Sequence, residues 1–238
     1  MKTLLRLNNV HTHIGQYHIL QGVSFEVPEN SVTMLLGRNG AGKTTTLRTI
    51  MRMSLPSQGE ALFDGEPLEN TTTRDMALKG ISYIPEKLGI FNSLTVEENM
   101  RVAAKHGPIN EDRLSWIFGI FPEIKKFWFW PSERLSGGQK QMLAISRALV
   151  EPKRLILMDE PSRGLAPFIV DLLVEVLQEL KQMKTTMLIV EHDFKFAQAV
   201  GDHVVVLNNG KVACTAPMEN FAQSTSLQME HLGLQLNQ

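Results

Sequence analysis

The residue run Gly37-Arg38-Asn39-Gly40-Ala41-Gly42-Lys43-Thr44-Thr45 has the types and spacing of a phosphate cradle. A glycine, four residues, then Gly-Lys-Thr is the P-loop pattern. Its glycines free the backbone to curl, so that successive N–H groups converge on phosphate oxygens. Lys43 then reaches the β- and γ-phosphates, and the Thr44 hydroxyl is a ligand for Mg²⁺. Two further groups fit the same chemistry. Asp159 and Glu160 close the apolar run Leu155-Ile156-Leu157-Met158. Asp159 can hold Mg²⁺ directly or through water, while Glu160 orients and polarises the attacking water. His192 follows a second apolar run, Met187 to Val190, by one residue, where it can meet the γ-phosphate and that water.

A second glycine-rich loop, Ser136-Gly137-Gly138-Gln139, opens another helix and so forms a second phosphate-binding helix N-terminus. One P-loop already wraps one triphosphate. The spare loop therefore suggests a site completed on another chain, with two nucleotides buried between two chains paired head to tail.

The elements that must position these residues follow from periodicity. Val32 to Leu36 reads as a buried strand before the P-loop, and Leu47, Ile50 and Met51 give one helical face after it. Leu5 to Leu7, Val23 to Val27 and Glu60 to Phe63 alternate or turn as half-buried strands do, which implies a small antiparallel sheet. Ile81 to Ile84 is a strand stopped by Pro85. From Glu86 to Glu133 the pattern turns helical, with a capping box at Thr95-Val96-Glu97-Glu98 and a second helix through Leu114, Ile117 and Phe118. Met142, Ile145 and Leu149 keep one face of the helix after Ser136. Phe168, Leu172, Leu173, Val176, Leu177 and Leu180 give a long amphipathic helix. Val204 to Ala213 reads as a terminal hairpin across Asn208-Asn209-Gly210, and the tail after Pro217 as one or two helices. Alternating strands and helices imply an α/β fold with a parallel sheet. The expected organisation is one domain, 1–238, with a helical subdomain at about 87–150 inserted in the core.

Composition narrows the classes. With 238 residues and a net charge of −1 there is no global basic field for nucleic acid or an anionic membrane. The lone Cys214 excludes an internal disulfide and a Cys-based zinc site. Met1 to Leu7 lacks the apolar stretch of a secretory signal. No apolar run approaches the roughly 20 residues that span a bilayer, so a membrane role is expected to come through a partner.

Leu135-Ser136-Gly137-Gly138-Gln139, set between the P-loop and Asp159-Glu160 and followed by His192, resembles an ATP-binding-cassette ATPase over essentially the whole chain. Ile84-Pro85-Glu86, Leu94-Thr95-Val96-Glu97-Glu98-Asn99, Gln141-Met142-Leu143-Ala144-Ile145 and Asp159-Glu160-Pro161-Ser162-Arg163-Gly164-Leu165-Ala166-Pro167 narrow it to ATPase subunits of bacterial branched-chain amino-acid importers and their urea and amide relatives. The resemblance implies ATP and Mg²⁺ as ligands and energy coupling as the role. It implies integral-membrane permease subunits and a second, identical or related, ATPase chain as partners, and a periplasmic solute-binding protein indirectly. Nucleic acid is not among them. It also implies a peripheral place on the cytoplasmic face of the inner membrane. An exporter or lipid-extraction ATPase on the same cassette is the alternative. A translation or repair cassette would carry a second cassette or long insertions, and a GTPase an Asn-Lys-x-Asp motif; neither is seen.

Three positions depart from the family pattern. Glu86 stands where most cassettes have Gln, and could still ligate Mg²⁺ or water. Ile14 stands where an aromatic ring usually stacks on adenine, with Tyr17 or His13 as substitutes. Arg163 occupies a commonly apolar position in a loop facing the other cassette, so its charge is expected to find a partner across the interface. Two apolar features remain. Phe127-Trp128-Phe129-Trp130 reads as packing in the helical lobe with some rings left exposed, because four consecutive rings cannot share one face. Phe91 and Leu94 are the expected anchors of a groove, formed by Glu86 to Asn99 and the lobe, for a short cytoplasmic helix of the membrane partner.

Overall fold

A computed structural model describes residues 2–104 and 107–232. The expected domain limits, 1–238, therefore include Met1, Lys105, His106 and residues 233–238, which lie outside the described residues.

In chain order the elements are β1 (Thr3–Ile14), β2 (Tyr17–Pro28), β3 (Val32–Gly37), α1 (Lys43–Ile50), β4 (Pro56–Phe63), β5 (Glu66–Pro67), α2 (Thr73–Leu78) and β6 (Ile81–Ile84). Then come α3 (Val96–Ala103), α4 (Glu111–Ile120), α5 (Pro122–Lys126) and α6 (Gly137–Leu149), with no strand among the described residues between β6 and β7. The rest is β7 (Leu155–Asp159), α7 (Pro167–Gln182), β8 (Thr186–Val190), α8 (Phe194–Val200), β9 (His203–Asn208), β10 (Lys211–Pro217), α9 (Met218–Gln223) and α10 (Thr225–Leu232).

Six strands form the main sheet in the order β10-β9-β3-β8-β7-β6, parallel except for the β9–β10 hairpin. A separate antiparallel sheet runs β2-β1-β4-β5. The three central strands β3, β8 and β7 are buried along their full length, as a parallel sheet covered on both faces requires. Their side chains alternate between two cores. Met34, Leu36, Ile156, Met158, Met187 and Ile189 point to the core closed by α3, α6, α7 and α8. Leu35, Leu157, Leu188 and Val190 point to the core shared with α1 and the antiparallel sheet. The P-loop helix α1 and the second glycine-rich helix α6 consequently cover opposite faces of one sheet.

Local chemistry fixes where helices begin. Thr95 caps α3 and Glu98 returns the bond, with Glu98 Oε2 accepting from Thr95 N at 2.7 Å. Thr72 with Asp75 does the same for α2, and Ser136 with Gln139 for α6. Of two apolar expectations, one changes and one holds. Phe168 is 71% exposed: it sits in the first turn of α7, outside the face that Leu173, Val176, Leu177 and Leu180 bury. In the aromatic run, Phe127 and Trp128 pack against the core, whereas Phe129 and Trp130 are 75% and 48% exposed. The run is a turn, not a helix, so its rings diverge.

Candidate nucleotide site

β3 delivers the P-loop to the carboxyl edge of the sheet. Gly37, Gly40 and Gly42 take φ of 144°, 80° and 104°, values that other residues adopt at a cost. At Gly37 the need is also steric, since a Cβ there would lie 2.3 Å from the Leu207 carbonyl oxygen of the neighbouring β9. The loop is tied to the β9–β10 turn by Gly210 N donating to Ala41 O at 3.0 Å. Arg38, Asn39 and Gly40 stay exposed, while Ala41, Gly42 and Thr45 are buried at the start of α1.

Lys43 is buried, and its ammonium donates to the carbonyl oxygens of Gly37 at 2.8 Å and Arg38 at 3.2 Å. Burial pulls its pKa down, against the nearby charges of Glu160, Asp159 and Glu191. A desolvated cation whose hydrogen bonds go to neutral carbonyls is poorly compensated, and a phosphate anion supplies what it lacks. This fits the triphosphate expected at the loop.

β7 and β8, beside β3, bring the carboxylates to the same edge, which is where ligands bind in open α/β sheets. Thr44 Oγ1 donates to Asp159 Oδ1 at 3.1 Å, and the Tyr83 hydroxyl donates to Asp159 Oδ2 at 3.3 Å. Burial raises the pKa of Asp159, with the like charges of Glu160 and Glu86 adding to it. Tyr83 is likewise pushed up, by burial and then by Asp159. The adjacent Thr44 and Asp159 oxygens are the hard donors that Mg²⁺ takes together with substrate phosphates and water. Among the described residues no group of three or more His, Cys, Asp or Glu side chains is arranged to hold a metal by itself.

Glu160 takes φ of 51°, a left-handed backbone that turns its side chain out of the β7 line. Its Oε1 lies 2.5 Å from His192 Nε2, and its Oε2 accepts from Arg163 Nη1 at 3.0 Å. His192 Nε2 is also 3.3 Å from Lys43 Nζ. Arg163 Nη1 donates in addition to Glu86 Oε1 at 2.6 Å. Arg163 thus has two carboxylate partners inside its own chain. Glu86, expected as a metal or water ligand, is placed on Arg163.

Two site residues escaped the sequence reading. Glu191 is buried, and its Oε1 accepts from Ser162 N at 2.9 Å while its Oε2 accepts from His192 N at 3.0 Å. It pins the loop after Glu160 and the backbone of His192 to each other. A carboxylate at the end of a buried strand, directly before His192, was the available signal. Tyr83 had none beyond its place in β6.

Lys43, Thr44, Asp159, Glu160, His192, Arg163 and Glu86 form one connected cluster. Ser136 to Gln139 stands apart from it. Gln139 N donates to Ser136 Oγ at 3.3 Å, Ser136 N to Gln139 Oε1 at 2.9 Å, and Gln139 Nε2 to Glu123 Oε2 at 3.1 Å. Gly138 packs closely on Ile169, while a Cβ at Gly137 would meet open space. At the β1–β2 turn, where adenine is expected to stack, Ile14 and Tyr17 are exposed, and His13 stacks on His18 with ring centroids 4.2 Å apart.

A groove of about 620 Å³ opens beside the cluster, running from Thr44 and Asp159 past Tyr83 and Glu86 to Met51 and Arg147. Glu86 to Gly89 line it, but Phe91 does not. The Phe91 ring instead sits 5.3 Å from the Arg147 guanidinium. No helix among the described residues is long and apolar enough to cross a membrane.

The family model described as ABC transporter matches residues 20–163. The chain is 33% identical over 211 residues to the high-affinity branched-chain amino acid transport ATP-binding protein BraG of Pseudomonas aeruginosa, covering 88% of this chain and 91% of that one. It is 32% identical to the probable branched-chain amino acid transport ATP-binding protein LivF of Archaeoglobus fulgidus, over 88% and 90% of the two chains. Among solved structures, the ADP conformation of an ATP-binding cassette of an ABC transporter superposes with a TM-score of 0.81 at 26% identity, covering 95% of this chain and 97% of that one. The cluster at the sheet edge and these likenesses agree: the chain belongs to the ABC transporter family and is an ATP-binding-cassette ATPase.

Proposed function

We propose that the chain is the energy-coupling subunit of a bacterial importer for branched-chain amino acids or related small polar solutes such as urea and amides. In this reading it works as a pair of cassettes, its own copy or a related chain, on the cytoplasmic face of the inner membrane against permease subunits, fed by a periplasmic solute-binding protein. The observation that carries the catalytic half is the join between Lys43, His192 and Glu160. The phosphate-binding cation and the water-activating carboxylate meet at one imidazole. The relatives named for branched-chain amino acid transport support the solute class.

The residues divide the work as follows. The amides of Gly37 to Thr45 and the Lys43 ammonium hold the β- and γ-phosphates. Thr44 and Asp159 would hold Mg²⁺, which would supply charge to neutralise phosphate oxygens. Glu160 orients water and takes its proton, and His192 faces the same water. Ser136, Gly137, Gly138 and Gln139, apart from this cluster and open at Gly137, complete the site of a second chain.

Glu160→Gln tests the assignment. The variant should bind ATP and hydrolyse it about 10²-fold more slowly, the usual scale for losing a general base. In that background ATP should raise the dimer fraction in sedimentation, and Ser136→Arg should abolish the increase by bulk at the loop. Near-normal turnover of Glu160→Gln refutes the base, and an ATP-insensitive monomer, even with membrane partners present, refutes the shared site.

A further inference from the structure

The side chains of Arg163 and Glu86 meet. One guanidinium nitrogen, Nη1, donates to Glu86 Oε1 at 2.6 Å and to Glu160 Oε2 at 3.0 Å. That nitrogen carries two hydrogens, so it serves both carboxylates at once. The two bonds differ in what they connect. Glu160 and Arg163 belong to one tight turn, closed by Arg163 N donating to Glu160 O at 3.1 Å and pinned through Ser162 to Glu191. Glu86 belongs to the loop after β6, the loop that lines the groove and leads into the helices. Arg163 is therefore a tie between the groove wall and the carboxylate that faces the attacking water.

The tie is not there for stability. Arg163 is 61% exposed and Glu86 45%, and exposed pairs of this kind contribute little to folding. Its effect is on orientation. Glu160 has one oxygen on His192 and the other on Arg163. Without the guanidinium the second oxygen loses its donor, and Glu86 and Glu160 lose the cation they share.

We propose that Arg163 is a positioning residue for Glu160 that sets its carboxylate according to where Glu86 lies, so that the groove wall reports to the catalytic edge within a single chain. The inference rests on Glu160 being the water-orienting group.

The experiment uses the full chain and four variants: Arg163→Leu, Arg163→Lys, Glu86→Gln and the Glu86→Gln/Arg163→Leu double. In steady-state ATP hydrolysis, Arg163→Leu should lower kcat about tenfold, a coupling within the range seen for residues in one network, with KM for ATP within about twofold. KM holds because Lys43 and the P-loop amides bind the phosphates independently of Arg163. Arg163→Lys should recover part of the loss. The double variant should be no slower than Arg163→Leu alone. Without nucleotide, Arg163→Leu should raise amide hydrogen exchange in both 86–89 and 160–165 and nowhere else. A raised KM at unchanged kcat, strictly multiplicative single effects, or unchanged exchange in either loop overturns the proposal. Glu160→Gln in the same assay separates the two claims. If Glu160→Gln is inactive while the Arg163 and Glu86 effects multiply, only the tie falls; if it turns over normally, the base assignment falls and takes the tie with it.

Discussion

Asn99 holds the start of the helical region together through hydrogen bonds whose loss has a definite size. It is fully buried in α3, and its side chain organises the segment that follows the groove wall. Its Oδ1 accepts from Phe91 N at 3.0 Å. Its Nδ2 donates to Phe91 O at 2.9 Å, to Ser132 Oγ at 2.9 Å and to Thr95 O at 3.0 Å. Truncation to alanine treats these groups unequally. Phe91 O keeps the donor Leu94 N, and Thr95 O keeps Asn99 N, so those carbonyls stay satisfied. Phe91 N and the fully buried Ser132 Oγ lose the Asn99 partner. Each stranded group costs about 1–3 kcal/mol, so Asn99→Ala should destabilise by roughly 3 kcal/mol. For a chain of this size that is a fall in Tm of about 6–12 °C. Urea unfolding at constant m gives the free energy directly. A loss below about 1 kcal/mol would refute the accounting, because it would mean that the loop from Phe91 to Thr95 finds other partners at no cost. Hydrogen exchange at the Phe91 amide locates the effect: protection there should disappear before global unfolding does.

Two further outcomes follow from the P-loop. Lys43→Ala removes the site's buried cation, so nucleotide should bind about 10- to 100-fold more weakly, as for loss of one charge-assisted hydrogen bond, and turnover should vanish; unchanged affinity in an ATP titration would contradict this. Gly37→Ala drives a methyl toward the Leu207 carbonyl at a φ of 144°, so the loss of stability should exceed about 4 kcal/mol, and a folded variant with a near-normal urea midpoint would show that β3 and β9 can part without cost.

The sequence was most readable where burial is complete. β3, β7 and β8 are buried throughout and mostly apolar because both faces of the sheet are covered, and the chemistry falls at their ends, where the apolar run stops. It was least readable in β1 and β2. Only Leu5 to Leu7 and Val23 to Val27 alternate cleanly, yet both strands run for 12 residues. Register shifts between Leu7 and Val10 and between Thr12 and His13 break the alternation, and polar His11, His13 and His18 occupy the outer half. Phe168 misled for a different reason, since helical periodicity marks a face without saying how far along the helix the core extends. Glu191 and Tyr83 act only through tertiary contacts, with Ser162 and His192 in one case and Asp159 in the other. The Ser136–Gln139 capping box shares its residues with the glycine-rich loop, so the same four residues carry both a helix-start signal and a phosphate-binding one.

The partners of the charged groups define what the site lacks. Asp159 has Thr44 and Tyr83, Glu191 has two backbone amides, Glu160 has His192 and Arg163, and Glu86 has Arg163. Every carboxylate at the catalytic edge is thus engaged before any nucleotide arrives. Lys43 differs: its hydrogen bonds go to neutral carbonyls and it lies beside an imidazole, with its charge offset only at a distance. Phosphate binding therefore answers the cation first and leaves the carboxylate network in place. Glu160 is positioned by protein groups and not by the nucleotide, which is why losing Lys43 should be felt in affinity and losing Arg163 in turnover. The two halves of the site touch at Thr44 and Asp159 and again at His192, between Lys43 and Glu160. That imidazole bridges the cation that meets the γ-phosphate and the carboxylate that faces the water.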